Sequence, residues 1–202
     1  MSRIALAIAA VGLVAASQAN AGGTTDIAVE DDFFAPDDAE NLAFDFNWDP
    51  TGDGVTDHKH NVQQNKGFFR SGQPAKSDSL SILLEGAGKY PYHCDVHSGM
   101  DGIVRKYIFG GPIVAGDSQV VNWSGDNSSD RHRYDVQYRK NGHAWKNWKR
   151  DTARTNQAFG ADGKPVDVNP AATYEIRART QKTNNLSKKT GWSNKFTVDV
   201  SP

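Results

Sequence analysis

The sequence predicts an all-β protein in two halves, each a β-sandwich or barrel. Three observations predict it. Apolar residues alternate over short runs: Leu42, Phe44, Phe46 and Trp48 fall on one face of an extended segment, and Ala43, Asp45 and Asn47 on the other. Such runs are separated by Gly, Asn, Asp and Pro, and no 3.6-residue period is sustained anywhere in the 202 residues. Charge also divides along the chain. Residues 22–109 carry 15 Asp and Glu against 7 Lys and Arg, and residues 110–202 carry 9 against 15. The formal net charge of −1 therefore hides halves of −8 and +6, which points to two domains with different surfaces.

The N-terminus reads as a secretory signal over residues 1–21. Arg3 is the basic head, Ile4 to Ala16 the apolar core, and Ala19-Asn20-Ala21 a small-x-small cleavage pattern, with the mature start near Gly22. The apolar core is too short to span a bilayer, and no later run is apolar enough. The expectation is a secreted or periplasmic protein with no membrane span. Cys94 is the single cysteine, so an internal disulfide is excluded. In an exported chain an odd thiol is a liability unless it is a ligand.

In order, Asp26–Glu30 alternates into a first strand, and Pro36 ends the segment after it. The Leu42–Trp48 strand leads into a Gly/Asp/Pro loop over Asp49–Asp57. Phe68–Gly72 reads as a short strand and turn, Ser79–Glu85 alternates through Leu80, Ile82 and Leu84, and Gly86 and Gly88 form a turn. Ile103–Phe109 reads as the strand that closes the first domain. Gly110-Gly111-Pro112 is expected to break any strand, which sets the boundary after Phe109. In the second half Val120–Trp123, Arg133–Arg139, Tyr174–Arg179 and Phe196–Val200 read as strands, and Trp145 and Trp148 fall in a turn-rich basic segment.

The chemistry concentrates between Tyr90 and Val104. Cys94, His97 and Met100 follow one another at three-residue spacing: a thiolate, an imidazole and a thioether on one short loop. Soft sulfur beside imidazole selects copper, and a trigonal His₂Cys site with a long axial methionine is an electron-transfer arrangement. The missing ligand is then an upstream histidine, His58 or His60. His60-Asn61-Val62, Phe69-x-Ser71-Gly72 and Gly88-x-Tyr90-Pro91-Tyr92-x-Cys94-x-x-His97-x-x-Met100-x-Gly102-x-Val104 together resemble a cupredoxin of the plastocyanin and amicyanin kind. The likeness covers roughly Thr25 to Phe109, and the short gap from His97 to Met100 resembles the amicyanin loop. It implies a Greek-key barrel holding one type 1 copper ion at His60, Cys94, His97 and Met100, with Asn61 bracing the ligand loop. His58 would share a strand face with His60 and rivals it, but Asn61-Val62 follows His60 as in the family pattern. His93 should point away from the metal, and His132 and His143 read as surface residues of the other half. Two departures stand out. The Asp49–Asp57 loop is long and lacks EF-hand spacing, so it reads as a solvated acidic turn rather than a calcium site. Asp95 puts an acid beside the exchange edge at His97.

Trp123, Tyr134-x-Val136-x-Tyr138, Pro170-x3-Tyr174-x-Ile176-x-Ala178 and Gly191-Trp192-Ser193 resemble a fibronectin type III domain, an immunoglobulin-like β-sandwich, over about Pro112 to Val200. The likeness implies a corner role for Tyr174 and a core role for Trp123, with a first strand that is truncated or missing. The expected division is thus a signal over 1–21, a cupredoxin-like domain over 22–109 and a fibronectin-like domain over 110–202.

No nucleophile–base constellation appears, and the single His-x-His pair argues against a multicopper oxidase or a nitrite reductase. The reading that follows is an exported one-electron carrier rather than an enzyme, with redox proteins as partners and no nucleic acid. Two alternatives are a copper-binding or delivery protein, and an adhesion or binding module. Arg139 to Arg150 offers the second half a surface or glycan contact, although core tryptophans with solvated charges are the plainer reading.

Overall fold

The computed structural model describes residues 23–48, 58–114, 118–125, 131–160 and 172–198. The signal segment and the Asp49–Asp57 loop lie outside the described residues. Among those described the chain is strand and turn throughout, and no helix is long and apolar enough to cross a membrane.

The first half contains β1 (Thr24–Val29), β2 (Phe34–Ala35), β3 (Asp38–Glu40), β4 (Ala43–Asn47), β5 (Gln63–Gln64), β6 (Ser79–Leu83), β7 (Gly88–His93) and β8 (Asp101–Lys106). They form two four-stranded sheets, β2-β1-β4-β6 and β3-β8-β7-β5. β1 runs parallel to β4 and β3 parallel to β8; the remaining neighbours are antiparallel. The alternation in β4 does what its pattern demands: Phe44 and Phe46 are fully buried, as is Trp48 just beyond. The opposing sheet answers with Tyr90 and Tyr92 from β7. Phe34 and Phe46 meet Tyr92 edge-on at ring-centroid distances of 4.8 and 5.1 Å. Each such pair adds about 0.5–1.5 kcal/mol beyond its buried area.

The second half contains β9 (Phe109–Val114), β10 (Ser118–Asn122), β11 (His132–Lys140), β12 (Lys146–Thr152), β13 (Asn156–Phe159), β14 (Tyr174–Lys182), β15 (Asn185–Lys189) and β16 (Phe196–Val198). One sheet is β13-β10-β9 and the other β12-β11-β14-β15, with β16 also on β14. Trp123, Tyr134, Trp148, Phe159, Tyr174 and Ile176 fill the core between them.

Three local expectations are corrected here. Gly110-Gly111-Pro112 does not break a strand; it lies inside β9, with Gly110 opposite Val121 of β10 and Gly111-Pro112 at an irregularity in the register. β9 is an edge strand, where a proline costs no ladder bond. A side chain at Gly110 would come within 2.7 Å of the Gln119 amide and 2.8 Å of the Phe196 ring, so the glycine permits a close approach. The closing strand of the first half stops at Lys106, and β9 supplies the first strand that looked truncated or missing. Finally, Lys146–Thr152 is a strand rather than a turn-rich segment. It carries Trp148 into the core and leaves Trp145 half-buried between the guanidinium groups of Arg139 and Arg177, at 4.7 and 4.1 Å.

The two halves share a seam. Ala87 and Ile108, from the first half by sequence, are buried in the second core. The Ala87 N–H donates to the Trp123 carbonyl (2.7 Å), and the Ala87 carbonyl accepts from Thr180 Oγ1 (3.0 Å). Lys89 and Gly191 exchange a reciprocal pair of backbone bonds at 3.0 and 2.9 Å. At the rim Asn194 reaches Glu40 (2.8 Å), and His132 Nδ1 pairs with Glu85 (2.7 Å). His132, expected at the surface, is thus held in the seam.

Candidate metal centre

Two segments build the site. The first is the chain around His60. Its N–H donates to the Ala75 carbonyl (2.8 Å), and its carbonyl accepts from Ala75 N–H (2.9 Å) and from the indole Nε1 of buried Trp48 (3.0 Å). Two residues on, Val62 N–H donates to Ser71 Oγ (3.0 Å), which gives the Ser71-Gly72 turn its work. The second segment is the end of β7. Tyr90, Tyr92 and Cys94 share one buried face, so the thiol arrives inside the sandwich by strand alternation alone. The chain then turns back: Cys94 N–H donates to the Met100 carbonyl (3.0 Å) and Met100 N–H to the His97 carbonyl (3.3 Å). Gly99 takes a left-handed φ of +87°, which a side chain would resist.

The result is a cluster of His60, Cys94 and His97 whose ligand atoms lie within 4.8 Å of one another. His97 Nδ1 is 3.0 Å from His60 Nδ1 and 3.7 Å from Cys94 Sγ. His60 is 0% exposed, Cys94 4% and Met100 1%, and Met100 belongs to the same core cluster as Cys94. His97 is half-buried. His58, the sequence rival, stays outside the cluster with a side chain 62% exposed, its ring 5.7 Å from that of His97. His93 turns away, towards Asn65 (2.8 Å) and Asp95 (3.1 Å).

Asn61 ties the two segments together. Its Oδ1 accepts the Asp95 N–H (2.8 Å), while its Nδ2 donates to the Gly72 carbonyl (3.1 Å) and to Asp95 Oδ2 (2.8 Å). Asp95 is thereby engaged with Asn61 and His93, and the Asn61 hydrogen bond leads in holding its carboxyl below the usual range. Burial, and next the neighbouring His97, push the His60 pKa below its ordinary 6.5, which keeps the imidazole in the neutral form that ligates. Two imidazoles and one thiol, brought together with only His97 partly exposed, form a donor set suited to a soft metal ion. His60 Nε2 is buried without a hydrogen-bond partner, and Asp31 Oδ1 lies 3.6 Å away. Sequence reasoning missed Asp31: β2, β3 and β4 lie between it and His60, and no local pattern joins them.

The fold and the cluster define a class, an all-β protein of two packed sandwiches with a His–Cys–His group able to hold a metal ion. No protein-family model and no curated relative matches the chain. Solved structures with partial likeness include the Cu-containing nitrite reductase (NirK) from Thermus scotoductus SA-01, at TM-score 0.31 and 17% identity, covering 45% of this chain and 23% of that one. Others are a cytokine receptor complex (TM-score 0.36, 11% identity, 72% of this chain and 87% of that one) and the FN1-FN3 domains of chicken CNTN1 (0.33, 9%, 81% and 62%). The chain spans under a quarter of the nitrite reductase's length.

Proposed function

We propose that the chain is an exported type 1 copper protein and a one-electron carrier rather than a catalyst. The ligands are His60, Cys94, His97 and Met100, in a domain over 22–109 joined to a fibronectin-like domain over 110–202. The observation that supports this best is the convergence of the lone cysteine with two histidines from separate segments, all within 4.8 Å, with His60 and Cys94 buried and His97 partly so. A copper ion bound there supplies exchange between Cu(II) and Cu(I).

The chain's own residues supply the rest. Cys94 binds as the thiolate, since a coordinating thiol is deprotonated by the cation. Met100, buried in the same core cluster as Cys94, would offer a weak thioether sulfur. Asn61, the Trp48 indole and the Ala75 bridge hold the ligand segments, so little rearranges when charge changes. His97 is half-exposed and gives electrons a route to redox partner proteins.

Absorption and EPR spectra of the copper-loaded protein test this. Intense visible thiolate-to-copper charge transfer is expected, with loss of the band in Cys94→Ser. A colourless copper-loaded protein overturns the assignment. A blue protein with no reversible one-electron potential overturns the carrier role in favour of copper binding or delivery.

A further inference from the structure

Resting on the copper reading above, we infer that Asp31 is a positioning residue for His60, the carboxylate that holds the Nε2–H so that Nδ1 stays open towards Cys94 and His97.

An imidazole that ligates through Nδ1 carries its proton on Nε2. In His60 that nitrogen is buried and has no hydrogen-bond partner. A buried donor left unpaired forfeits its hydrogen bond to water and destabilises the fold. The atom that can remove this cost is Asp31 Oδ1, at 3.6 Å, a few tenths of an ångström beyond hydrogen-bond range.

The position of Asp31 is set by the fold. β1 and β2 form a hairpin with Val29 opposite Phe34, and Glu30 N–H bonds the Phe33 carbonyl (3.0 Å) across the turn. Asp31 is the first central residue of that turn. Its Oδ1 also accepts the N–H of His58 (3.2 Å), which fastens the turn to the chain two residues before His60. The carboxylate therefore touches the ligand segment at two points. Both reach across from a hairpin that supplies no ligand itself.

Two consequences follow for the site. With the proton held on Nε2, the His60 Nδ1 lone pair accepts from His97 Nδ1–H across their 3.0 Å separation, so His60 is already in its binding tautomer in the metal-free protein, while His97 gives up its Nδ1 proton when it ligates. A carboxylate behind the imidazole also makes it a stronger donor, and this favours the more highly charged oxidised ion.

The test uses the full chain with Asp31→Asn and Asp31→Ala. Nitrogen-15 NMR of the metal-free protein reads the His60 tautomer, and competition titrations with Cu(II) and Cu(I) together with voltammetry read the site. Wild type is expected to show the Nε2–H form. Asp31→Asn keeps an acceptor oxygen and should retain the tautomer while weakening Cu(II) binding. Asp31→Ala should lose the tautomer preference and weaken Cu(II) relative to Cu(I) about tenfold. For one electron, tenfold corresponds to a rise in potential of about 59 mV. An unchanged tautomer together with an unchanged Cu(II)/Cu(I) ratio in Asp31→Ala overturns the inference. Should wild type lack the charge-transfer band, the copper reading fails by itself, and the metal-free tautomer still decides the role of Asp31.

Discussion

Lys106 gives the seam between the halves a pH dependence. It ends β8 and is buried, with Nζ donating to the Leu84 carbonyl (2.7 Å) and the Glu85 carbonyl (2.9 Å). Burial pushes its pKa down to about 8, opposed only in part by Glu85. An unfolded lysine titrates near 10.4, and the gap is worth about 3 kcal/mol. Below pH 8 both states hold the proton and the whole burial cost weighs on the fold. Between about pH 8 and pH 10.4 the unfolded chain binds more protons than the folded one, so stability rises with pH. From pH 7 to 9.5 the gain works out at about 2 kcal/mol, or roughly 4–8 °C in Tm for a chain of this size. Above pH 10 the trend reverses. The phenols of Tyr90 and Tyr92 are pushed up by burial, so the unfolded chain loses those protons first. Urea unfolding of the metal-free protein between pH 7 and 9.5, followed by tryptophan fluorescence, measures the slope. Lys106→Met should be flat where wild type rises. Equal slopes in the two proteins would refute the assignment of the rise to Lys106.

Two further outcomes are expected. Gly86→Ala puts a methyl 2.2 Å from Thr180 Oγ1 and 2.5 Å from the Tyr134 ring; overpacking of this kind costs about 1–3 kcal/mol, and calorimetry should show one transition moved down rather than one of two halves melting early. Trp192 stacks on the guanidinium groups of Arg177 and Arg179 at 4.6 and 4.4 Å; Trp192→Ala should lower the unfolding free energy measured by urea titration by about 1–2 kcal/mol and leave the spectrum of the copper-loaded protein unchanged.

Much of this was legible in the sequence because it is written in short-range pattern. Period-two alternation in β4 and β7 places Phe44, Phe46, Tyr90, Tyr92 and Cys94 inside, and loop spacing brings His97 beside Cys94. His60 was distinguished from His58 by the residues after it, and the structure buries one and exposes the other. What was not legible is set by pairing between distant segments. Gly110-Gly111-Pro112 has the composition of a breaker and becomes a strand because β10 lies alongside at the edge of a sheet. His132 has no local mark of a partner, yet Glu85 meets it across the seam. Asp31 looks like any turn acid until the fold sets it behind His60.

The shared seam also fixes an order in time. Ala87 and Ile108 are buried in a cluster otherwise made of residues of the second half, and Lys89 completes its backbone bonds on Gly191. Synthesis delivers those partners last, so the stretch that leads into Cys94 stays incomplete until nearly the whole chain is available. Pairings this distant in sequence form slowly, because loop closure precedes the contacts that reward it. Ala87 immediately precedes β7, the strand that leads to Cys94, so the C-terminal half helps to hold the strand that carries the thiol.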